Sequence, residues 1–204
     1  EQGATHMADG YARTSGKVGV AMATSGPGAA NMVTGLATAM MDSVPIVCIT
    51  GQVPRPAIGS DAFQEMDISG AVIPVTKHSY LVMDIKNLAQ TVKEAFAIAR
   101  SGRPGPVLID IPKDVQAEKY DFIYPEEPVK LPGENPLDKE ISEKSLGDAA
   151  DLIANAKRPV ILAGHGILLS GASKEVIELS EKGDIPLSWT LLGSGAVPAS
   201  HNLN

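Results

Sequence analysis

Lys17-Val18-Gly19-Val20-Ala21-Met22-Ala23-Thr24 runs into Ser25-Gly26-Pro27-Gly28, then into Ala29–Met41, and then into Pro45-Ile46-Val47-Cys48-Ile49-Thr50. The first and last of these runs read as buried strands. The glycine-proline tetrapeptide between them reads as a turn, and the small residues after it as a helix. Strand, turn, helix and strand in this order argue an α/β fold, a parallel sheet flanked by helices on both faces.

Outward toward the N-terminus, Glu1-Gln2-Gly3-Ala4-Thr5-His6-Met7-Ala8-Asp9-Gly10-Tyr11-Ala12-Arg13 sets Ala4, Met7, Ala8, Tyr11 and Ala12 on one stripe. That is the spacing of an amphipathic helix. A buried helix rarely opens a protein, so the chain is expected to be a piece of a longer one. Outward the other way, Gly51-Gln52-Val53-Pro54-Arg55-Pro56 and Ala57–Asp67 form a long irregular loop with Phe63-Gln64-Glu65 near its end. Loops of that length in compact domains usually carry function. Thr76–Met83 is a further strand. Asp84 caps a helix through Arg100, with Leu88, Val92, Ala95, Phe96 and Ala99 facing inward. Pro106–Ile111 is an apolar strand interrupted by Asp110 alone.

Beyond residue 120 the composition changes. Asp121–Pro136 holds Pro125, Pro128, Pro132 and Pro136 with Asp121, Glu126, Glu127 and Glu134, an extended acidic linker placed at 121–141. A second unit spans 142–204. Ser142 caps a helix bearing Leu146, Ala149, Ala150, Leu152, Ile153 and Ala156. A strand at Pro159–Ala163 enters the turn Gly164-His165-Gly166, a helix Ala172–Lys182 ends at Gly183, and Ile185–Thr190 is another strand. Two strands make only the start of a second α/β domain.

Composition narrows the function classes. Seventeen basic against 24 acidic side chains give −7 with no basic run, which speaks against nucleic acid. No apolar run approaches the ~20 residues of a membrane span. The single cysteine, Cys48, reads as a small buried hydrophobe and suits a reducing, cytoplasmic compartment. His6, His78, His165 and His201 show no metal-ligand spacing, so no metal is assigned to the chain.

Ser25-Gly26-Pro27-Gly28 offers backbone N–H groups at a helix start, an anion-friendly arrangement. It lacks the Gly-Lys-Ser/Thr ending of a phosphate loop, and Ala23 stands where a nucleophile elbow needs glycine. Gly164-His165-Gly166 follows a strand, but Leu169 occupies the third-glycine position of a dinucleotide fingerprint, and Asp184 precedes a strand where that fingerprint would have it end one. On local evidence both are ordinary turns.

The motif strings say more. The helix Glu1-Gln2-Gly3-Ala4-x-His6-Met7-Ala8-x-Gly10-Tyr11-Ala12-Arg13 resembles the one carrying the catalytic glutamate of thiamine diphosphate enzymes. Ala23-Thr24-Ser25-Gly26-Pro27-Gly28-Ala29-x-Asn31, Asp42-Ser43-x-Pro45, Gly51-Gln52-Val53-Pro54, Asp61-Ala62-Phe63-Gln64-Glu65 and the run Ser101–Val115 add to it. Together they resemble the acetolactate (acetohydroxyacid) synthase large-subunit family, densely to about residue 117 and more weakly after it.

The resemblance implies a pyrimidine-binding domain at 1–120 lacking its N-terminal part, followed by the start of a central, Rossmann-like domain. The diphosphate-binding domain is absent, and with it the Gly-Asp-Gly…Asn motif that holds Mg²⁺. Thiamine diphosphate and FAD are the implied cofactors. Glu1 is implied as the catalytic carboxyl group on the cofactor's aminopyrimidine, and in this chain is expected to be frayed or solvated. Phe63 and Gln64 are implied to border the substrate, Lys113 to stand at the same mouth, with Gln64 and Lys113 implied as catalytic beside Glu1, and Val53 and Pro54 to wall the access channel. Arg103, Gly164, Gly166, Thr190 and Leu191 match FAD-contacting positions, with His165 departing from the small residue usual there. Without the family, Arg103 is a cation at a helix C-terminus and Lys113 an exposed loop charge. The implied activity joins pyruvate to a second pyruvate or to 2-ketobutyrate, in a homodimer or tetramer, with a regulatory subunit open. A related carboligase such as glyoxylate carboligase, or a non-catalytic flavin-binding module, is the alternative.

Overall fold

The structure is a computed structural model describing residues 1–131 and 141–204. It divides into two compact units, Glu1–Leu137 and Asp138–Asn204. The first begins with helix α1 (Gln2–Ser15), strand β1 (Gly19–Ala23), helices α2 (Pro27–Asn31) and α3 (Val33–Asp42), and strand β2 (Ile46–Gln52). A loop with short turns of helix, including α4 (Ile68–Ala71), leads to β3 (His78–Leu81). Helix α5 (Leu88–Arg100), strand β4 (Val107–Pro112) and α6 (Lys113–Ala117) follow. The strands stand in the order β1-β2-β4-β3, and every neighbouring pair is parallel.

Alternation along β2 and β4 decides which helix covers which face. Ile46, Cys48 and Leu108 join Ala8 and Ala12 of α1, and Met32 and Leu36, in one cluster. Val47, Val107, Ile109 and Ile111 turn the other way, onto Ala95 and Ala99 of α5 and Val115 of α6. Both faces are covered, which is why these strands read as unbroken apolar runs. Cys48 is buried as expected, and burial alone pushes its thiol up to about 12.

The small residues have a geometric purpose. A Cβ on Gly35 would stand 2.5 Å from Thr5 Cγ2 and 2.6 Å from Thr5 Cβ, and one on Gly19 would fall on the Ala8 carbonyl. Helix α1 therefore presses onto β1 and α3 at backbone distance.

Several expectations shift. Met7 and Tyr11 do not face the core: they are 71% and 50% exposed, and the buried face of α1 is Thr5, Ala8, Asp9 and Ala12. Asp9 is tolerated there because Arg13 Nε donates to its carboxylate at 2.8 Å, while Arg13 also reaches Asp42 at 2.7 Å. The helix expected over Ala29–Met41 starts earlier, with Pro27 in its first turn, and breaks at Met32, whose N–H takes the Ala29 carbonyl three residues back. Asp84 caps a single 3₁₀ turn at Ile85–Asn87 that feeds α5. Residues 121–131 of the acidic linker carry no helix or strand, and Lys93 donates to the carbonyls of Pro125, Glu126 and Glu127. Pro132, Glu134 and Pro136 lie outside the described residues.

In the second unit Ser142 caps α7 (Glu143–Ala154) by accepting from Ser145 N at 3.1 Å. Strand β5 (Ile161–Ala163), helices α8 (His165–Ser170) and α9 (Ser173–Gly183) and strand β6 (Leu187–Trp189) follow. β5 and β6 pair in parallel. Leu187, Ala196 and Val197 form its core with Ile161, Ile167, Val176, Ile177 and Trp189 packed around them. His165 and Gly166 open a helix where only a turn was expected, and none of the α7 residues is buried.

Candidate functional site

The first unit gathers its polar groups at the C-terminal edge of the sheet, where parallel strands hand over to loops and helix starts. Glu1 stands just before α1, its carbonyl accepting from Thr5 N at 3.0 Å and Thr5 Oγ1 at 2.9 Å. Its side chain is exposed, and Asn31 Nδ2 donates to Glu1 Oε2 at 3.3 Å. A Cβ on Gly28 would lie 3.6 Å from Glu1 Oε1 and 2.8 Å from Thr24 Cγ2, so the carboxylate hangs over the turn that follows β1. Gly26 holds φ +60°, and a Cβ there would meet the Gln64 carbonyl at 2.6 Å. That close approach needs glycine on both counts. Glu1, the 25–28 turn, Asn31 and Gln64 thus converge.

The loop that delivers Gln64 is held by its own carboxylate. Glu65 accepts from the backbone N–H groups of Gly59 and Ala62, which keeps its carboxyl below the usual range. Asp61 and Gln64 take φ of 56° and 61° in the same turn. Phe63 is left at the tip, 89% exposed. Behind the loop, Asp110 is 1% exposed and accepts from Thr50 Oγ1 at 2.7 Å and Gln52 Nε2 at 2.9 Å. Burial pushes its carboxyl up to about 6. Val53 is buried and Pro54 half-buried beside Arg55, which donates to Asp114 and Glu118 of the segment after β4 and to the Met83 carbonyl. Lys113, exposed, opens α6 at the end of β4, next to this group in sequence.

Comparison with known proteins decides the family. Residues 1–71 match the thiamine pyrophosphate enzyme, N-terminal TPP binding domain, and residues 146–204 match the thiamine pyrophosphate enzyme, central domain. The chain belongs to the thiamine pyrophosphate enzymes. It is 53% identical to an acetolactate synthase of Arthrospira platensis, over the whole of this chain and 35% of that protein. It is 52% identical to the acetolactate synthase large subunit of Parasynechococcus marenigrum, over 96% of this chain and 32% of that one. A probable acetolactate synthase large subunit of Methanocaldococcus jannaschii is 50% identical over the whole chain and 34% of its own length. The chain thus spans about a third of the curated relatives it matches.

The remaining expected positions fall in each unit separately. Arg103 precedes β4, on the opposite edge of the sheet. Its Nε donates to Ser43 Oγ at 2.7 Å and its Nη2 to the Met40 and Met41 carbonyls at 3.1 and 2.9 Å, so it closes the C-terminus of α3. In the second unit, Gly164 and Gly166 follow β5, and Thr190 and Leu191 follow β6. Thr190 N donates to the Ala163 carbonyl at 3.0 Å, which sets the two loops side by side at one end of the paired strands. Leu191 is exposed there.

Sequence reasoning did not single out Asn31, Gln52, Asp110 or Glu65 for these roles. Asp110 carried a usable signal, because a carboxylate inside an apolar strand must have partners. Glu65 and Asn31 carried none, since their partners are backbone groups or residues distant in the chain.

Proposed function

We propose that the chain forms the pyrimidine-binding domain, and the beginning of the central domain, of an acetolactate synthase catalytic subunit. The observation that carries this reading is the Glu1 carboxylate, held by Asn31 over a glycine turn and facing the Gln64 loop. The residues fit the cofactor's aminopyrimidine: an exposed carboxylate stands over a glycine turn, its Oε1 3.6 Å from where a Cβ on Gly28 would lie. Bound thiamine diphosphate supplies the electron sink for breaking the bond beside a 2-keto acid's carbonyl. Glu1 holds and passes a proton at its carboxylate oxygens toward the aminopyrimidine ring. Phe63 and Gln64 border the substrate, Val53 and Pro54 line its approach, and Lys113 attracts the carboxylate of a 2-keto acid at the mouth.

In this reading the substrates are two pyruvates, or pyruvate and 2-ketobutyrate, in the first shared steps toward branched-chain amino acids. Mg²⁺ and the diphosphate are held by a further domain, since no Gly-Asp-Gly motif occurs in these 204 residues. FAD is the further cofactor that the family resemblance implies, with Arg103 as its candidate contact in the first unit and, separately, Gly164, Gly166, Thr190 and Leu191 as its candidate contacts in the second. Arg103 keeps Nη1 outside the hydrogen bonds that cap α3, and the two loops of the second unit lie side by side. The assembly is a cytoplasmic dimer or tetramer of catalytic subunits, open to a regulatory subunit.

The test is a complete enzyme carrying Glu1→Gln, assayed with pyruvate. Acetolactate formation is expected to fall by about 10²-fold or more, the usual effect of losing a positioned proton-transfer group. An unchanged rate would overturn the role of Glu1, and a preference for glyoxylate over pyruvate would point to a related carboligase.

A further inference from the structure

Between Val53 and Met66 the chain leaves β2, carries Val53-Pro54 and Phe63-Gln64, and returns to the sheet before α4. Both ends of this segment are gripped by one side chain. Gln52 Oε1 accepts from Val53 N at 2.8 Å, and Gln52 Nε2 donates to the Met66 carbonyl at 2.7 Å. The remaining amide hydrogen of Gln52 goes to Asp110 Oδ2 at 2.9 Å. The orientation of the amide is unambiguous. A carboxylate and a carbonyl only accept and a backbone N–H only donates, so a flipped Gln52 would lose all three bonds. Thr50 Oγ1 fixes the other oxygen of Asp110, and the register of β2 on β4 sets Thr50 opposite Asp110 and Gln52 opposite Pro112.

We infer that Gln52, oriented by the buried Asp110 carboxylate, is a positioning residue that closes the 53–66 loop and so delivers Phe63 and Gln64 to the site. It touches neither Glu1 nor the 25–28 turn by hydrogen bond. Its effect on catalysis runs through the loop, which already lies on Gly26 through the Gln64 backbone. The catalytic consequence rests on the acetolactate synthase reading; the closure of the loop does not.

Amide exchange over residues 53–66 of the full chain tests the clamp, read beside the kinetics of the complete enzyme with pyruvate. Gln52→Met keeps the length of the side chain and loses every hydrogen bond. It is expected to speed exchange over 53–66 about ten-fold while β1 and α3 exchange as before. In the enzyme, KM for pyruvate is expected to rise about ten-fold with a smaller change in kcat. Asp110→Leu fills the same buried volume without an acceptor and is expected to speed exchange of the loop likewise. Asp110→Asn is expected to retain protection, because its carbonyl can face Gln52 while its amide donates to the Thr50 hydroxyl. Unchanged exchange over 53–66 in Gln52→Met overturns the clamp, and so does an increase spread evenly over the whole unit. If Asp110→Asn exchanges as fast as Asp110→Leu, Asp110 does not orient Gln52. An unmoved KM in an enzyme that consumes pyruvate overturns delivery of the substrate contacts. A complete enzyme that never consumes pyruvate counts against the functional reading, and exchange still decides the clamp.

Discussion

Glu1 shows how much a single side chain owes to its neighbours. Its helix could be read from spacing, but its anchor could not, because Asn31 is 30 residues away. Asp110 is a second case, and its effect on stability has a definite sign. Burial lifts its carboxyl from an ordinary 3.8 to about 6, with Asp67 adding to the lift and the Thr50 and Gln52 hydrogen bonds opposing it. The folded state therefore holds this proton more tightly than the unfolded chain does. The stabilisation it gives is complete below the unfolded value and is lost as pH rises through about 6. Thermal melting of the chain across pH 4–7 is expected to show this increment, and Asp110→Asn to remove it. Cys48 is expected to resist alkylation at pH 8 in the folded chain and to react once it is denatured, because burial lifts its thiol to about 12. Rapid labelling of the native chain would contradict the packing of β2.

At the scale of elements, close contact dominates. Gly35→Ala is expected to destabilise the first unit by about 1–3 kcal/mol, because the new methyl group must displace α1. Thr5→Ala is not expected to rescue it, since the Thr5 Cβ itself lies 2.6 Å from the added atom. Denaturant midpoints of the single and double variants check this. Arg103→Ala is expected to cost about 1–2 kcal/mol by uncapping α3, whatever its part in binding FAD. The same melts measure that cost, and FAD affinity measured separately tells the two roles apart. The elements themselves were largely legible. Every expected strand is present, with its ends moved by at most two residues, because apolar runs and turn residues are local signals. The break at Met32 and the start of α8 at His165 were not legible. They depend on how buried residues and strand ends are accommodated, which periodicity does not encode.

At the scale of the whole molecule, the chain matches both an N-terminal and a central thiamine pyrophosphate enzyme domain, over about a third of the length of its relatives. The 204 residues alone are expected to form no acetolactate from pyruvate with thiamine diphosphate, Mg²⁺ and FAD supplied, and product measurement on the purified chain checks this. Among the described residues no helix is long and apolar enough to cross a membrane. The sequence by itself determined the α/β class, the order of the strands and of the longer helices between them, and the family, because hydrophobic period, turn chemistry and motif strings are properties of contiguous residues. Only the tertiary structure decided which face of α1 is buried, that Asn31 holds Glu1, that Arg103 closes α3, and that Gln52 grips both ends of the 53–66 loop. Each of these rests on at least one contact between residues distant in sequence. Parallel strands bring such residues to one sheet edge only once the register of β1, β2 and β4 is fixed.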